Sequence, residues 1–298
     1  MTLEQLRIFV AVAEREHVTE AAKALNLSQS AVSSAITSLE GRHRVPLFDR
    51  VGRRIVLNQA GAAFLVQARR VLADMAAAEA SLADLSRLER GRLTIHASQS
   101  IASYWLPPRL AAFHDAHPGI ELDVAFGNTA QVAEAVVDGR AELGLVEGDV
   151  DDAVLRRETI GQEHLSLVVS PQHPWAANRP AAIDLASTPW VLREPGSGTR
   201  AAFEAVLEAS GLTLSQLKVA MVLPGNEAVR SAVEAGAGAG VMSRSVAVLG
   251  VARAALVEIP MDLPVRAFHL LRHKQRYRSL AGDEFVKMAK AFADPVER

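Results

Sequence analysis

Residues 21–40 read AAKALNLSQSAVSSAITSLE, and this stretch decides the fold of the first sixty residues. Ala21, Ala22, Ala24 and Leu25 are small or apolar, which lets two helices approach closely; Asn26 and Leu27 then make a short turn. Ser28 is a side-chain cap for the next helix, where Val32, Ile36 and Leu39 recur at i, i+4 and i+7 as a core-facing stripe. The other face carries Gln29, Ser30, Ser33, Ser34 and Thr37. Upstream, Thr19 is the expected cap of the preceding helix, with Glu20 at its positive end, and Leu3, Leu6, Phe9, Val10 and Ala13 give an amphipathic helix over 3–13. Two short helices joined by a tight turn, the second with small hydrogen-bonding side chains, fit a helix-turn-helix lying in a major groove. Gln pairs bidentately with adenine, and Ser and Thr reach bases or phosphates. The same face on an ordinary three-helix bundle is solvated and idle, and periodicity alone fits both readings.

Residues 42–54 hold Arg42, Arg44, Arg50, Arg53 and Arg54 against the single acid Asp49, around an expected strand at 53–57. A basic hairpin of this kind can lie along phosphates as a wing, with Arg50, Arg53 and Arg54 as its contacts; a solvated charged loop is the plainer alternative.

The run at 21–40, VPLFDR at 45–50, Arg53, Leu57 and the Ala60-Gly61 pair together resemble the LysR family of transcriptional regulators. The resemblance implies a winged helix-turn-helix over 1–58 that presents residues 29–37 to double-stranded DNA. The chain departs from the family pattern in four places. Ser30 stands for a frequent proline, Ser34 and Ala35 for basic or long polar residues, Arg44 for a frequent glycine, and Asn58 for the usual threonine.

Asn58 can cap a helix over 59–88, because no proline or glycine interrupts residues 62–90. Thirty residues span roughly 45 Å, a length that needs a partner. Leu65, Ala68, Leu72, Met75, Glu79 and Leu82 alternate three and four apart as a seam broken by Glu79. The helix is either buried on its own domain or, as the family resemblance implies, a linker and dimerisation helix over 59–90. The resemblance also implies a homodimer or homotetramer reading an inverted repeat.

Beyond Arg90-Gly91-Arg92, short apolar runs alternate with helical stretches, an α/β pattern with strands expected at 93–97, 120–126, 142–146, 165–170, 190–193, 218–223, 240–243, 255–259 and 265–272. The resemblance implies a C-terminal effector domain over 91–298 like the two-subdomain periplasmic binding proteins. Subdomain I takes about 91–162 and 266–298 and subdomain II about 163–265, with crossings near Gly161 and Leu263. Three segments end a strand and open a helix with small donor residues: Ser98-Gln99-Ser100, Gly127-Asn128-Thr129 and Gly196-Ser197-Gly198-Thr199-Arg200. Glycines let backbone N–H groups approach a ligand, hydroxyls add donors, and helix N-termini favour negative charge. The expected anion pocket comprises Ser98, Gln99, Ser100, Thr129, Gly196, Ser197 and Thr199. Arg200 is either a counter-charge or a surface residue. Glu147, closing the third strand, either hydrogen-bonds a ligand, repels a second negative charge, or is a partly exposed strand end. The ASQS and REPGSGTR wording resembles the branch of the family that includes regulators of sulfur assimilation and carbon fixation. That implies sulfite or sulfate as effector, with a phosphorylated metabolite or organic acid as the alternative.

Composition sets the outer bounds. The chain has 298 residues, 49% hydrophobic and 22% charged, which suits two or more globular units; its net charge of -2 hides the basic segment at 42–54. Without cysteine there is no thiolate metal site and no thiol switch. No run of 18 apolar residues and no secretory leader pattern is present, so a cytoplasmic location and no membrane association are expected. Gly236, Gly238 and Gly240 follow a helical stretch and precede a strand, the reverse of a dinucleotide site. His114 and His117 lack completing metal ligands, and Ser197 lacks identifiable triad partners. No cofactor, metal or catalytic set is expected. A cytoplasmic solute-binding protein without DNA function is the rival reading, and the basic wing speaks against it.

Overall fold

A computed structural model describes residues 1–51, 54–84, 90–178 and 183–292. The chain divides into two compact units, the first built on Met1–Leu82 with Asp138–Arg140 and the second on Ala83–Val137 and Ala141–Arg298.

The first unit consists of α1 (Leu3–Arg15), α2 (Val18–Ala24), α3 (Gln29–His43), the antiparallel ribbon β1 (Phe48–Val51) and β2 (Arg54–Leu57), and α4 (Gln59–Asp84). Leu6, Phe9, Val12, Val32, Ile36 and Leu39 share one core with Ala21 and Ala22, whose small side chains let α2 pack closely. Ser28 caps α3 as expected, accepting from the Ala31 N–H at 3.2 Å. The cap of α2 is His17, through Nδ1 to the Glu20 N–H at 3.3 Å, and not Thr19, which lies inside the helix. Arg44 ends α3 in the left-handed region at φ 53°, a conformation in which glycine is free of the Cβ penalty.

Two polar side chains join the helices to the ribbon. Glu40 Oε1 accepts from the Leu47 N–H at 2.7 Å and the Phe48 N–H at 3.3 Å. Asn58 caps α4 by accepting from the Gly61 N–H at 2.9 Å, and donates to the Pro46 carbonyl at 3.1 Å. Gly61 is required by this approach, since a Cβ there would lie 2.1 Å from the Leu47 carbonyl oxygen. Helix α4 has 26 residues, about 39 Å of rise. Its first half packs on its own core through Phe64, Leu65, Ala68 and Leu72, whereas Val66, Val71 and Leu82 stay exposed. The expected continuation to Leu88, and Arg53 of the wing, lie outside the described residues.

In the second unit, β3 (Gly91–Ser98), β4 (Ile120–Gly127), β5 (Leu143–Glu147), β6 (Leu155–Glu163) and β12 (Arg266–His273) form a five-stranded sheet in the order β4-β3-β5-β12-β6. Strand β3 runs parallel to β4 and β5, and β12 runs antiparallel to β5 and β6. Its core gathers Leu93, Ile95, Leu143, Leu145, Phe268 and Phe285 against a π-helical segment (Ile101–Trp105), α5 (Leu106–Ala116) and α11 (Leu280–Ala291); α6 (Thr129–Asp138) covers the other face. A second lobe is made of β7 (Leu165–Val169), α7 (Pro174–Ala177), β8 (Pro189–Arg193), α8 (Gly198–Ala209), β9 (Lys218–Leu223), α9 (Asn226–Glu234), β10 (Gly240–Ser243), α10 (Arg244–Ala252) and β11 (Val257–Ile259). Here β10-β7-β11 is antiparallel and β8-β9 parallel, with Trp190 buried between α8 and the strands. Gly236 and Gly238 make the helix-to-strand turn between α9 and β10.

Every expected strand is present. The nine-residue β6, LRRETIGQE, was not expected: it is an edge strand paired with β12 alone, and its polar residues 156–159 are exposed, so it carries no apolar run. It leads directly through His164 into β7, and the chain returns to the five-stranded sheet between Ile259 and Arg266.

Candidate DNA-reading face and effector cleft

On α3 the buried stripe of Val32, Ile36 and Leu39 leaves Gln29, Ser30, Ser33, Ser34 and Thr37 exposed in the first unit. Ser30 is tied to the cap, its hydroxyl 3.0 Å from that of Ser28. Arg50 and Arg54 are exposed on the ribbon. Arg50 pairs with Ile55 and Arg54 with Val51, and paired residues of a ribbon share a face, so the two guanidinium groups leave from opposite faces.

In the second unit the carboxyl ends of β3, β4 and β5 meet the second lobe. The N-termini of α6 and α8 converge: a Cβ on Gly198 would lie 2.5 Å from the Glu147 carbonyl oxygen and 3.0 Å from the Thr129 hydroxyl. Thr129 itself donates to that carbonyl at 3.0 Å. Thr129, Glu147, Gly196, Ser197 and Arg200 line a recess of about 410 Å³ at this junction. Ser197 does not cap α8 with its side chain, and Gly196 takes φ 86°, which a glycine adopts without strain. Arg200 is not a free counter-charge: it donates to Glu204 at 2.7 Å and to the Arg193 carbonyl at 3.2 Å.

The remaining expected residues, Ser98, Gln99, Ser100 and Thr199, do not line this recess. Gln99 Oε1 accepts from the Asn226 N–H, and Ser100 Oγ from the Asn226 side-chain amide, both at 2.9 Å. Ser98 is 2% exposed and its hydroxyl has no hydrogen-bond partner among the described residues. Thr199 is buried in the first turn of α8. The π-helical segment places Tyr104 to donate to Glu227 at 2.8 Å; burial first, then that hydrogen bond, pushes its hydroxyl up to about 12.

Glu147 is no partly exposed strand end: it is 4% exposed, and Oε1 lacks a partner among the described residues. Its register partner is Phe268, two residues from Arg266, which ion-pairs with Glu163. Burial pushes the Glu163 carboxyl up to about 7, Arg266 counteracts this, and the negative charge of Glu147 adds to the rise. Arg266 keeps Nε and one terminal nitrogen unpartnered although 5% exposed. The second unit thus buries charged groups of both signs whose pairing is incomplete among the described residues.

Sequence reasoning missed Arg193, Glu194 and Asn226. Arg193 Nε and a terminal nitrogen donate to the two oxygens of Glu194 at 2.8 and 2.9 Å, and its other terminal nitrogen donates to Asn226 Oδ1. Asn128 donates to Glu194 Oε1 at 3.3 Å. The legible signal is a charged pair closing the apolar strand β8 just before Pro195. Among the described residues no group of His, Cys, Asp and Glu could hold a metal ion, and no helix is long and apolar enough to cross a membrane.

A winged helix-turn-helix followed by a long helix and a two-lobed α/β domain defines a ligand-responsive DNA-binding regulator. Residues 3–62 match the model of the bacterial regulatory helix-turn-helix protein, lysR family, and residues 86–294 that of the LysR substrate binding domain. The chain belongs to the LysR family, whose members are transcriptional regulators and not enzymes. It is 34% identical over 288 residues to the uncharacterized HTH-type transcriptional regulator YeiE of Escherichia coli K12, with 96% of each chain covered. A probable RuBisCO transcriptional regulator of Thalassiosira pseudonana is 33% identical over 250 residues, 82% of this chain and 81% of that one. In fold it is similar to full-length CbnR complexed with its target DNA (TM-score 0.68, 22% identity, 98% of this chain and 100% of that chain). It is likewise similar to the regulatory domain of Synechocystis PCC6803 CcmR in complex with 2-PG (TM-score 0.63, 24% identity, 70% and 99%).

Proposed function

We propose that this regulator reads an inverted-repeat operator as a homodimer or homotetramer, in the cytoplasm, and that a small anion in the cleft changes its DNA affinity. The observation that carries the anion is the meeting of two helix N-termini, α6 and α8, at one recess lined by Thr129 and Ser197, where backbone dipoles favour negative charge. Ser98, Ser100 and Thr199 supply further hydroxyls in the same cleft. Sulfite and sulfate are the favoured ligands. A phosphorylated metabolite or organic acid is the second reading, supported by the recess of about 410 Å³, ample for more than a tetraoxyanion, and by a similar regulatory domain solved with 2-PG.

DNA reading rests on Gln29, Ser30, Ser33, Ser34 and Thr37 for the groove and on Arg50, Arg53 and Arg54 for phosphates. The exposed Val66, Val71 and Leu82 of α4 support pairing of this helix with a second copy. Residues 1–58, 59–90 and 91–298 then serve as reader, linker and sensor. The sensor's lobes are 91–162 with 266–298 and 163–265. The test is a gel-shift titration of the full chain against its own upstream intergenic DNA, with sulfite, sulfate, 2-PG and a panel of organic acids. Specific binding altered by one of these anions is expected; specific binding indifferent to all of them removes the anion.

A further inference from the structure

Arg193 carries a buried guanidinium whose three nitrogens are all engaged. Its fork grips both oxygens of the neighbouring Glu194, at 2.8 and 2.9 Å, while the Asn128 amide from the end of β4 adds a third donor at 3.3 Å. A planar carboxylate held by a guanidinium fork and an amide is the arrangement by which proteins bind oxyanions. Arg193 is 5% exposed, whereas the Glu194 side chain is 21% exposed and is followed directly by Pro195 and Gly196, which line the recess. The donor set is therefore fixed in the protein interior, and the carboxylate occupying it sits at the edge.

We infer that Glu194 is a built-in stand-in for the effector anion, occupying the Arg193 fork and the Asn128 amide until a free oxyanion displaces it; this rests on the anion reading above. Burial acts to raise the Glu194 carboxyl, but the contacts from Arg193 and Asn128 prevail and hold it below the usual carboxylate range, so it stays charged near neutral pH. A second anion cannot enter beside it without like-charge repulsion. Displacement also has a mechanical consequence. The chain Ser100, Asn226, Arg193, Glu194, Asn128 runs from the end of β3 through the second lobe and back to the end of β4. When Glu194 leaves, the incoming oxyanion takes its place between Arg193 and Asn128, so the spacing between β8 and the end of β4 is reset by the size and charge of the ligand. A selectivity rule follows: the ligand must out-compete an intramolecular carboxylate, which favours oxyanions of higher charge than a monocarboxylate.

The test is calorimetric titration of the full chain with sodium sulfate, sodium sulfite and inorganic phosphate at matched ionic strength, for the natural sequence, Glu194→Gln and Glu194→Ala. Circular dichroism and thermal unfolding identify folded variants, and two substitutions ensure that one unfolded variant does not decide the matter. Removing the resident charge should tighten binding of the responsive anion by about tenfold or more, and Arg193→Gln should weaken it. Unchanged or weaker binding by the folded Glu194 variants, with the natural chain still binding, overturns the stand-in role and leaves the anion reading in place. No anion binding by any of the folded proteins overturns both.

Discussion

The polar face of α3 and the polar cleft of the second unit are built from similar residues under opposite conditions. On α3, Gln29, Ser33, Ser34 and Thr37 stand in solvent on a helix whose other face is locked into the core by Val32, Ile36 and Leu39. Their hydration is satisfied, and in the proposed reading DNA exchanges one set of partners for another on a rigid frame. In the cleft, Ser98, Ser100, Thr129, Asn226 and Glu147 are buried, some tied to one another and some orphaned. A buried polar atom without a partner costs about 1–3 kcal/mol, so a ligand that completes the set is rewarded by more than its own contacts. A reader can be rigid and exposed; a sensor needs groups whose pairing is incomplete or exchangeable.

The largest expected effect comes from attacking the frame of the reader. Gly61→Ala puts a methyl 2.1 Å from the Leu47 carbonyl, and the joint between ribbon and α4 must shift. A loss of about 1–3 kcal/mol is expected, read as a lowered unfolding temperature together with lost operator binding. An unchanged melting curve would show that this joint is looser than described. Next, Gln29→Ala should cost about 1–3 kcal/mol of operator affinity and relax the sequence preference at one base position, as measured with a mutated operator series. Equal weakening on all sequences would move Gln29 to the phosphates.

The cleft responds differently. Ser98→Ala deletes an orphaned hydroxyl, so stability should hold or rise by about 1 kcal/mol while effector affinity falls. A destabilised variant would mean that Ser98 has a partner within the folded chain. Glu163 carries the pH signature. Its folded-state pKa of about 7 lies above that of an unfolded carboxyl, so the folded chain holds the extra proton between about pH 4.5 and 7. That contribution is complete below this window and is lost as pH rises through 7. Glu163→Gln should therefore narrow the fall in unfolding temperature between pH 6 and 8, and an unchanged fall would place the titrating group elsewhere. The smallest effect belongs to the wing: Arg54→Ala should weaken DNA a few fold and lower the logarithmic salt slope by about one.

Much of this was legible in the sequence because local rules dominate there. The stripe on α3, the Ser28 and Asn58 caps and the strand-ending hydroxyl segments all express preferences within a few residues. Thr19 yielded to His17 because both lie near the helix start and a ring nitrogen caps as a hydroxyl does. Strand β6 was hidden because an edge strand with exposed charged side chains needs no apolar alternation. The link from Ser100 through Asn226 and Arg193 to Asn128 was beyond sequence reading, since its members lie up to 126 residues apart and no spacing announces them. The same topology explains why Gln99 and Ser100 meet α9 while Thr129 approaches Gly198 at the start of α8.

The proposed coupling of anion and operator through one chain must be reciprocal. The most direct measurement is the affinity of the responsive anion for the full chain, by calorimetry, with and without saturating operator duplex. Reciprocal coupling requires that operator change anion affinity by the same factor by which anion changes operator affinity. Identical anion affinity in the two conditions, beside an operator affinity that shifts with anion, would contradict it.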